Sequence, residues 1–479
     1  MSLNKEKIAV IDIGSNSIRL VIFDRFARYP YSLFNERVTC KLGMNLDSSG
    51  ILEQKNIELS LNTLRRFSKI INNIKPDNLI VIGTAALRRA SNSSDFLIHA
   101  EKILNYQIRI LSGEEEAKLV AKGLMANIPK ANGIIGDLGG GSFELIKVEA
   151  GIIKDLKSFD FGHLNEIDIK LIKNAFKELN WNNDGSQNFF YGVGGSFRAL
   201  GTIFKSKNKY PIEPLHGLIM PIKPTKNLIK KIISSEGSTK YLPSYRRDSM
   251  PNAVKIINEV LKYTNSKQIY VSGTSVRDGV VLESLKQSLK KEDPLIVTSK
   301  QIAKEKVRFR GLSTSLFDLL KPFKAYFKDK EMERLIKSIC LLADISWDEH
   351  PSSRAILALE KILYLPINSV THDERAWLAM AIYHRYARQM QIQKMPYNFS
   401  SILSKKRRNS SIIIGLALKF LMTFCAGIPK LLKNIKIKIK DDYLIVEFKN
   451  SSNDLYADHL KNRLENLASV MNKNLKIKI

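Results

Sequence analysis

The 479-residue chain holds only three cysteines, Cys40, Cys340 and Cys425, and their separations suit neither a zinc ligand set nor a disulfide framework. A reducing compartment, the cytoplasm, is the expectation. In the opening MSLNKEKIAV segment the apolar stretch is cut short by Asp12, so no secretory leader is expected. No apolar run reaches the roughly 20 residues of a membrane span. The nearest, SIIIGLALKFLMTFCAGI at 411–428, is interrupted by Lys419 and reads as a core helix. Acidic residues are scarce too: 47 Asp and Glu face 76 Lys and Arg, a formal charge of +29 that favours a polyanionic ligand. Helix-turn-helix, zinc-finger and aromatic RNA-reading patterns are all missing, which argues against a dedicated nucleic-acid partner.

The chain does have glycine turns at the ends of apolar runs. IAVIDIGSNSIRL at 8–20 and IIGDLGGGSFEL at 134–145 repeat one pattern about 125 residues apart, and GVGGSFRAL and VSGTSVRDG add two more such turns. Turns of this kind at strand ends bring free backbone N–H groups and helix N-termini to a phosphate. In the first, Gly14 relaxes the turn, Ser15, Asn16 and Ser17 offer donors, and Asp12 can orient a hydroxyl or a metal-bound water. In the second, Gly139, Gly140 and Gly141 leave room for an oxyanion beside Ser142, while Asp137 and Glu144 supply oxygens for a divalent cation. Gly194, Gly195 and Ser196 form a further close-approach turn.

Two clusters of charge accompany the turns. ILSGEEEAKL places Glu114, Glu115 and Glu116 at a helix start, either as favourable charge at the helix dipole with Ser112 as cap, or as a carboxylate aimed at an attacking water. Arg88 and Arg277 have the planar fork that clamps phosphate oxygens, and Arg89 is either a solvated charge or a contact for the substrate tail. For Arg277 a structural ion pair is the plainer alternative.

Coarse patterning divides the chain into alternating α/β segments at 1–128 and 129–300, a helical segment at 301–430, and a small α+β element at 431–479 with two strands and a closing helix. So long a chain exceeds what a single core supports.

Six motifs in order, DIGSNSIRL, GTAALRRA, LSGEEEA, DLGGGSFEL, GVGGSFRAL and VSGTSVRDG, resemble the exopolyphosphatase/guanosine pentaphosphate phosphohydrolase family, a branch of the actin, hexokinase and heat-shock chaperone superfold. The resemblance implies two actin-like domains and Mg²⁺-dependent hydrolysis of a terminal phosphoanhydride by glutamate-activated water. It sets the catalytic glutamate on Glu115, with Glu116 as its neighbour, metal and phosphate roles on Asp137 and Glu144, and the first phosphate contacts on Arg88 and the Asn16–Ser17 turn, while Asp12 is a further metal candidate from its own turn. Phe143 departs from the family's threonine or serine and removes a possible donor. The helical segment resembles the His-Asp metal phosphohydrolases, with His372–Asp373 as the dipeptide, His350 and His384 as companions, and the basic KKRR run at 405–408 suited to guiding a polymer. Inorganic polyphosphate is the expected substrate and guanosine pentaphosphate the alternative, with a homodimer as the expected assembly. A kinase-like ATPase and a non-enzymatic polyphosphate or alarmone sensor are the other readings.

Overall fold

The computed structural model describes residues 6–25, 27, 30–179, 181, 189–234, 238–327, 332–388, 395–449 and 455–479. The chain forms two compact units, Met1–Tyr210 with Leu215–Glu292, and Pro211–Pro214 with Asp293–Ile479.

The first unit contains two mixed sheets built to one plan. β1 (Ile8–Ile13), β2 (Ile18–Phe23) and β3 (Ser32–Val38) form an antiparallel meander, and β4 (Asn78–Gly83) and β5 (Arg109–Ile110) extend it in parallel, in the order β3-β2-β1-β4-β5. The second sheet repeats this with β6 (Gly133–Leu138), β7 (Phe143–Glu149) and β8 (Ile152–Phe159). It continues through parallel β9 (Phe189–Val193) and β11 (Gln268–Val271) to antiparallel β10 (Leu218–Pro221). This is the duplicated actin-like α/β architecture. β1 is apolar at both parities because both faces are covered: Ala9, Ile11 and Ile13 enter one core while Ile8 and Val10 enter another.

The helix Gly113–Asn127 and the helix Val276–Glu283 pack backbone to backbone. A Cβ at Gly279 would lie 1.9 Å from the Leu119 carbonyl oxygen, and one at Gly123 would lie 2.7 Å from that of Ser275. Apolar side chains of both helices, among them Val120, Leu124, Val276 and Val280, share a core with Ile135 and Ile146 of the second sheet and with Ile82 of the first.

The second unit is mainly helical. Its first helix, Pro294–Lys306, is capped by the Asp293 carboxylate, so the helical texture begins before residue 301. Arg375, 2% exposed, donates to the carbonyls of Ile362, Leu363, Leu365 and Ile367 and so closes the end of the helix Arg354–Tyr364. The helix Lys405–Cys425 is long and apolar enough to cross a membrane by length and composition, yet most of it is buried in this unit. β12 (Ile435–Lys440) and β13 (Tyr443–Phe448) form the expected hairpin, and the helix Asp458–Val470 follows. The chain does not end on that helix: β14 (Asn474–Lys478) returns to pair with β13 in parallel, a third strand too short for its alternation to stand out.

Candidate active site

The two glycine turns are superimposable in their bonding. Gly14 N–H donates to the Ser17 carbonyl at 3.1 Å, and 125 positions later Gly139 N–H donates to the Ser142 carbonyl at 3.0 Å. Loops cap the remaining carbonyls in both copies. Lys41 and Gly43 donate to Asn16 and Ser15 at 3.0 and 2.8 Å, while His163 and Leu164 donate to Gly139 and Gly140 at 3.1 and 3.0 Å. The turns also meet each other: a Cβ on Gly141 would lie 2.7 Å from Ser15 Oγ, and one on Gly140 3.2 Å from Asn16 Cβ. The glycines therefore let the two hairpins touch, and a side chain at Gly141 would have to displace Ser15.

Charged groups converge around this contact. Asp12 is paired with Arg277, both largely shielded from solvent. Gly194, at φ 89°, brings its backbone so close to Asp137 that a Cβ would sit 2.4 Å from the carboxylate Oδ1. Burial raises the Asp137 carboxyl to about 6; Arg198 and Arg277 oppose the shift and Asp12 adds to it. Glu116 lies 3.5 Å from Arg88. Burial, reinforced by Asp137 and Asp12 and resisted by Arg88, pushes it up to about 8. Glu144 is held well above the usual carboxylate range by burial first, then by Glu116 and Asp137, although Ser158 donates to it at 3.1 Å. Arg88 reaches the Leu111 carbonyl with one guanidinium nitrogen at 2.7 Å, and its other terminal nitrogen is buried with no partner among the described residues.

A family model described as the Ppx/GppA phosphatase family matches residues 21–288, more than half of the chain. The chain belongs to the Ppx/GppA phosphatase family. A second model, described as the exopolyphosphatase C-terminal region, matches residues 295–478. A guanosine-5'-triphosphate,3'-diphosphate pyrophosphatase of Aeromonas hydrophila is 36% identical over 160 residues, which are 33% of this chain and 32% of that protein. The protein of the same name from Vibrio cholerae is 25% identical over 308 residues, 60% of each chain. The matches thus span between a third and three fifths of these two relatives. The solved exopolyphosphatase of Cytophaga hutchinsonii matches 58% of this chain and 96% of its own, with 25% identity and a TM-score of 0.51.

Near these turns the three consecutive glutamates part company, because each helical step turns the side chain by about 100°. Glu114 is 71% exposed and pairs weakly with Lys118. Glu115 closes a capping box with Ser112, its Oε2 accepting the Ser112 N–H at 2.9 Å, and its Oε1 accepts from Arg109 at 2.7 Å. Its side chain is 43% exposed, and the Arg109 and Ser112 bonds hold its carboxyl below the ordinary value. Glu116, 13% exposed, is the one of the three among the buried carboxylates. The resemblance put the catalytic role on Glu115, and both oxygens of that carboxylate are engaged here, one by the Ser112 N–H and one by Arg109.

Other expectations fare differently. Ser196 Oγ is buried at the Gly194 turn with no partner among the described residues. Arg89 donates to the Gly141 carbonyl at 3.2 Å and pairs with Asp47, so it fastens the second turn rather than standing free in solvent. Phe143 is fully buried with Phe159, Phe161 and Phe176, so its side chain feeds the core and the donor counted as lost would have pointed there. Among the described residues no three His, Cys, Asp or Glu side chains are arranged to hold one metal ion, so Asp12, Asp137 and Glu144 are not a ready-made cage. In the second unit the Asp373 carboxylate takes the Thr371 hydroxyl and lies 3.5 Å from Arg407, His350 Nδ1 sits 2.7 Å from Ser352, and His372 and His384 are buried. Asp373 thus sits in the first turn of a helix that Thr371 caps.

The sequence reading missed a set of arginines. Arg19, on the ladder directly opposite Asp12, is lowered to about 10 by burial and then by Arg277, Arg198 and Arg37. Arg37 donates to Ser17 Oγ at 2.9 Å, and the Arg246 guanidinium rests against Gly195, where a Cβ would be 2.1 Å away. One signal was available: Arg19 occupies in the first hairpin the place Glu144 holds in the second.

Proposed function

We propose that the protein is an exopolyphosphatase that removes orthophosphate from one end of inorganic polyphosphate. The observation that carries this reading is the largely buried carboxylate of Glu116 beside the half-engaged fork of Arg88, close to two phosphate-type turns and to several arginines. Glu116 takes a proton from water, the new O–P bond forms as the terminal P–O–P anhydride opens, and the shortened polymer leaves with the electron pair. Arg88 steadies the charge on the terminal phosphate, and Arg19, Arg37, Arg198 and Arg246 hold the phosphates behind it.

The donor set fits a divalent cation: Asp137 is raised in part by Asp12, so two partly shielded carboxylates already repel one another, and Mg²⁺ asks for only one or two carboxylates alongside phosphate oxygens and water. Asp12 and Asp137 would hold it, and it would neutralise charge on the phosphate oxygens; Glu144, deeper and bonded to Ser158, stays out of that shell.

Hydrolysis of the 5′ terminal phosphate of guanosine pentaphosphate is the second reading, favoured by the names of the Aeromonas and Vibrio relatives. The +29 charge favours the polymer. The test is phosphate release from long-chain polyphosphate and from guanosine pentaphosphate, each with and without Mg²⁺, using Glu116→Gln to exclude contaminating phosphatase. Turnover mainly of the nucleotide would replace the first reading with the second. Neither activity would leave a phosphate sensor. A cytoplasmic homodimer belongs to the same proposal, and sedimentation of the full chain tests its assembly.

A further inference from the structure

The turn Ser272–Ser275, between β11 and the helix Val276–Glu283, rests on a histidine. Gly273 is exposed, and against it His216 is buried on the segment that leads into β10. His216 Nδ1 lies 2.8 Å from the Gly273 nitrogen, and a backbone N–H can only donate, so Nδ1 is the acceptor. The ring proton then sits on Nε2, which lies 3.1 Å from the Tyr270 hydroxyl of β11. Tyr270 is buried as well and meets the imidazole edge to face, with the ring planes at 84°. A Cβ on Gly273 would stand 3.0 Å from His216 Cβ and 3.3 Å from Nδ1, so the glycine lets the turn lie directly on the ring.

The turn fastens two cations. The Ser272 and Thr274 hydroxyls close it at 2.7 Å, and the Thr274 N–H donates to Ser272 Oγ at 3.1 Å. Ser275 then starts the next helix through a capping box with Asp278, and Arg277, two residues on, pairs with Asp12. Arg198 reaches the Ser272 carbonyl at 3.5 Å. Any apolar side chain of similar size would fill the space under the turn, but only an acceptor at the δ position meets the Gly273 N–H. Without that acceptor the exposed glycine is free to turn its N–H to water, and the Ser272 carbonyl and the helix start move with it.

We propose that His216 is a positioning residue for phosphate binding: by accepting the Gly273 N–H it fixes the turn that sets Arg277 and Arg198. It touches no substrate and transfers no proton. The proposal rests on the reading of these arginines as phosphate contacts.

Asparagine and leucine at position 216 separate this role from core filling. The two side chains share one branched shape, and only asparagine offers an oxygen where Nδ1 stands. Binding of tripolyphosphate to the full chain is measured by calorimetry without Mg²⁺, and KM and kcat for long-chain polyphosphate are measured with it. His216→Leu is expected to weaken tripolyphosphate binding about tenfold and to raise KM by a similar factor, with kcat within a few-fold. His216→Asn should bind within about threefold of the parent, although both variants lose the ring beside Tyr270 and should melt lower than the parent. His216→Gln, whose amide reaches towards Tyr270 but has no acceptor at the δ position, should bind as weakly as His216→Leu and replaces it if the leucine variant fails to fold. Equal losses in the asparagine and leucine or glutamine variants, a loss confined to kcat, or parent-like binding in His216→Leu overturns the proposal. A parent with no affinity for tripolyphosphate overturns it as well. A parent that binds tripolyphosphate and hydrolyses neither substrate removes the proposed reaction instead, and the binding comparison still decides the role of His216.

Discussion

At the tip of the first hairpin Asp12 faces Arg19 across the ladder and is paired with Arg277, whereas at the matching point of the second hairpin Asp137 faces Glu144, with Glu116 adding to the repulsion on Glu144. The backbone device is the same in both, down to the hydrogen bond across the turn. One copy has been made the cationic wall of the cleft and the other the acidic wall. Duplication supplied two similar turns, and the exchange at the ladder position, arginine in one and glutamate in the other, sets their charge apart.

The acidic wall should break most completely at Glu116. Glu116→Gln is expected to lower kcat by about 10³-fold with KM little changed, while Glu115→Gln leaves kcat within a few-fold and lowers Tm by a few degrees. Steady-state kinetics of both variants decides between them, and equal losses would return the catalytic role to the pair as a whole. Next in size is Gly194→Ala. At φ 89°, and against the Asp137 carboxylate, an added methyl must move one of them, for an expected loss of about 10²-fold in kcat. The loss on Gly14→Ala in the first turn should be smaller, because a Cβ there would stand 3.3 Å from the Ser17 carbonyl, close enough to strain but not to block.

The cationic wall should respond in KM. Arg19→Met is expected to raise KM for polyphosphate by about tenfold and to flatten its salt dependence, with kcat largely kept. A fall in kcat alone would place Arg19 with the reacting phosphate instead.

The smallest effect is on stability. Glu116 has a folded pKa raised from 4.5 to about 8, so the stability it allows is fully present below about pH 4.5 and is lost as pH rises towards 8. The ligand-free protein should lose Tm across that window, and Glu116→Gln should recover about 2–4 °C at pH 8 and nothing at pH 4. Thermal melts at the two pH values measure this directly. A variant that melts like the parent at both would mean that Arg88 already compensates the charge.

Much of this architecture was legible because it is written locally. β1 and β6 are apolar at both parities and each runs into a glycine turn, so strand, turn and returning strand could be placed from the residues alone. The engagement of Glu115 was also local, since Ser112 and Glu115 have the spacing of a capping box and Arg109 lies six residues away, but which of its neighbours would face the other carboxylates was not. Arg37 and Arg246 come from different segments and meet the turns only through tertiary packing, so neither motif nor spacing marked them. Phe143 misled for a related reason: a departure from a family pattern looked like a lost donor until its face of the strand was known.

The contact of Gly123 and Gly279, main chain against main chain, also bears on how this protein can change over evolutionary time. Where two sheets are located by interlocking side chains, each substitution nudges one sheet against the other. Here much of the spacing is set by peptide groups that every sequence shares, and the turns are likewise tied together by amides and carbonyls. A side chain at Gly123 or Gly279 would therefore force the two helices apart, whatever surrounds them.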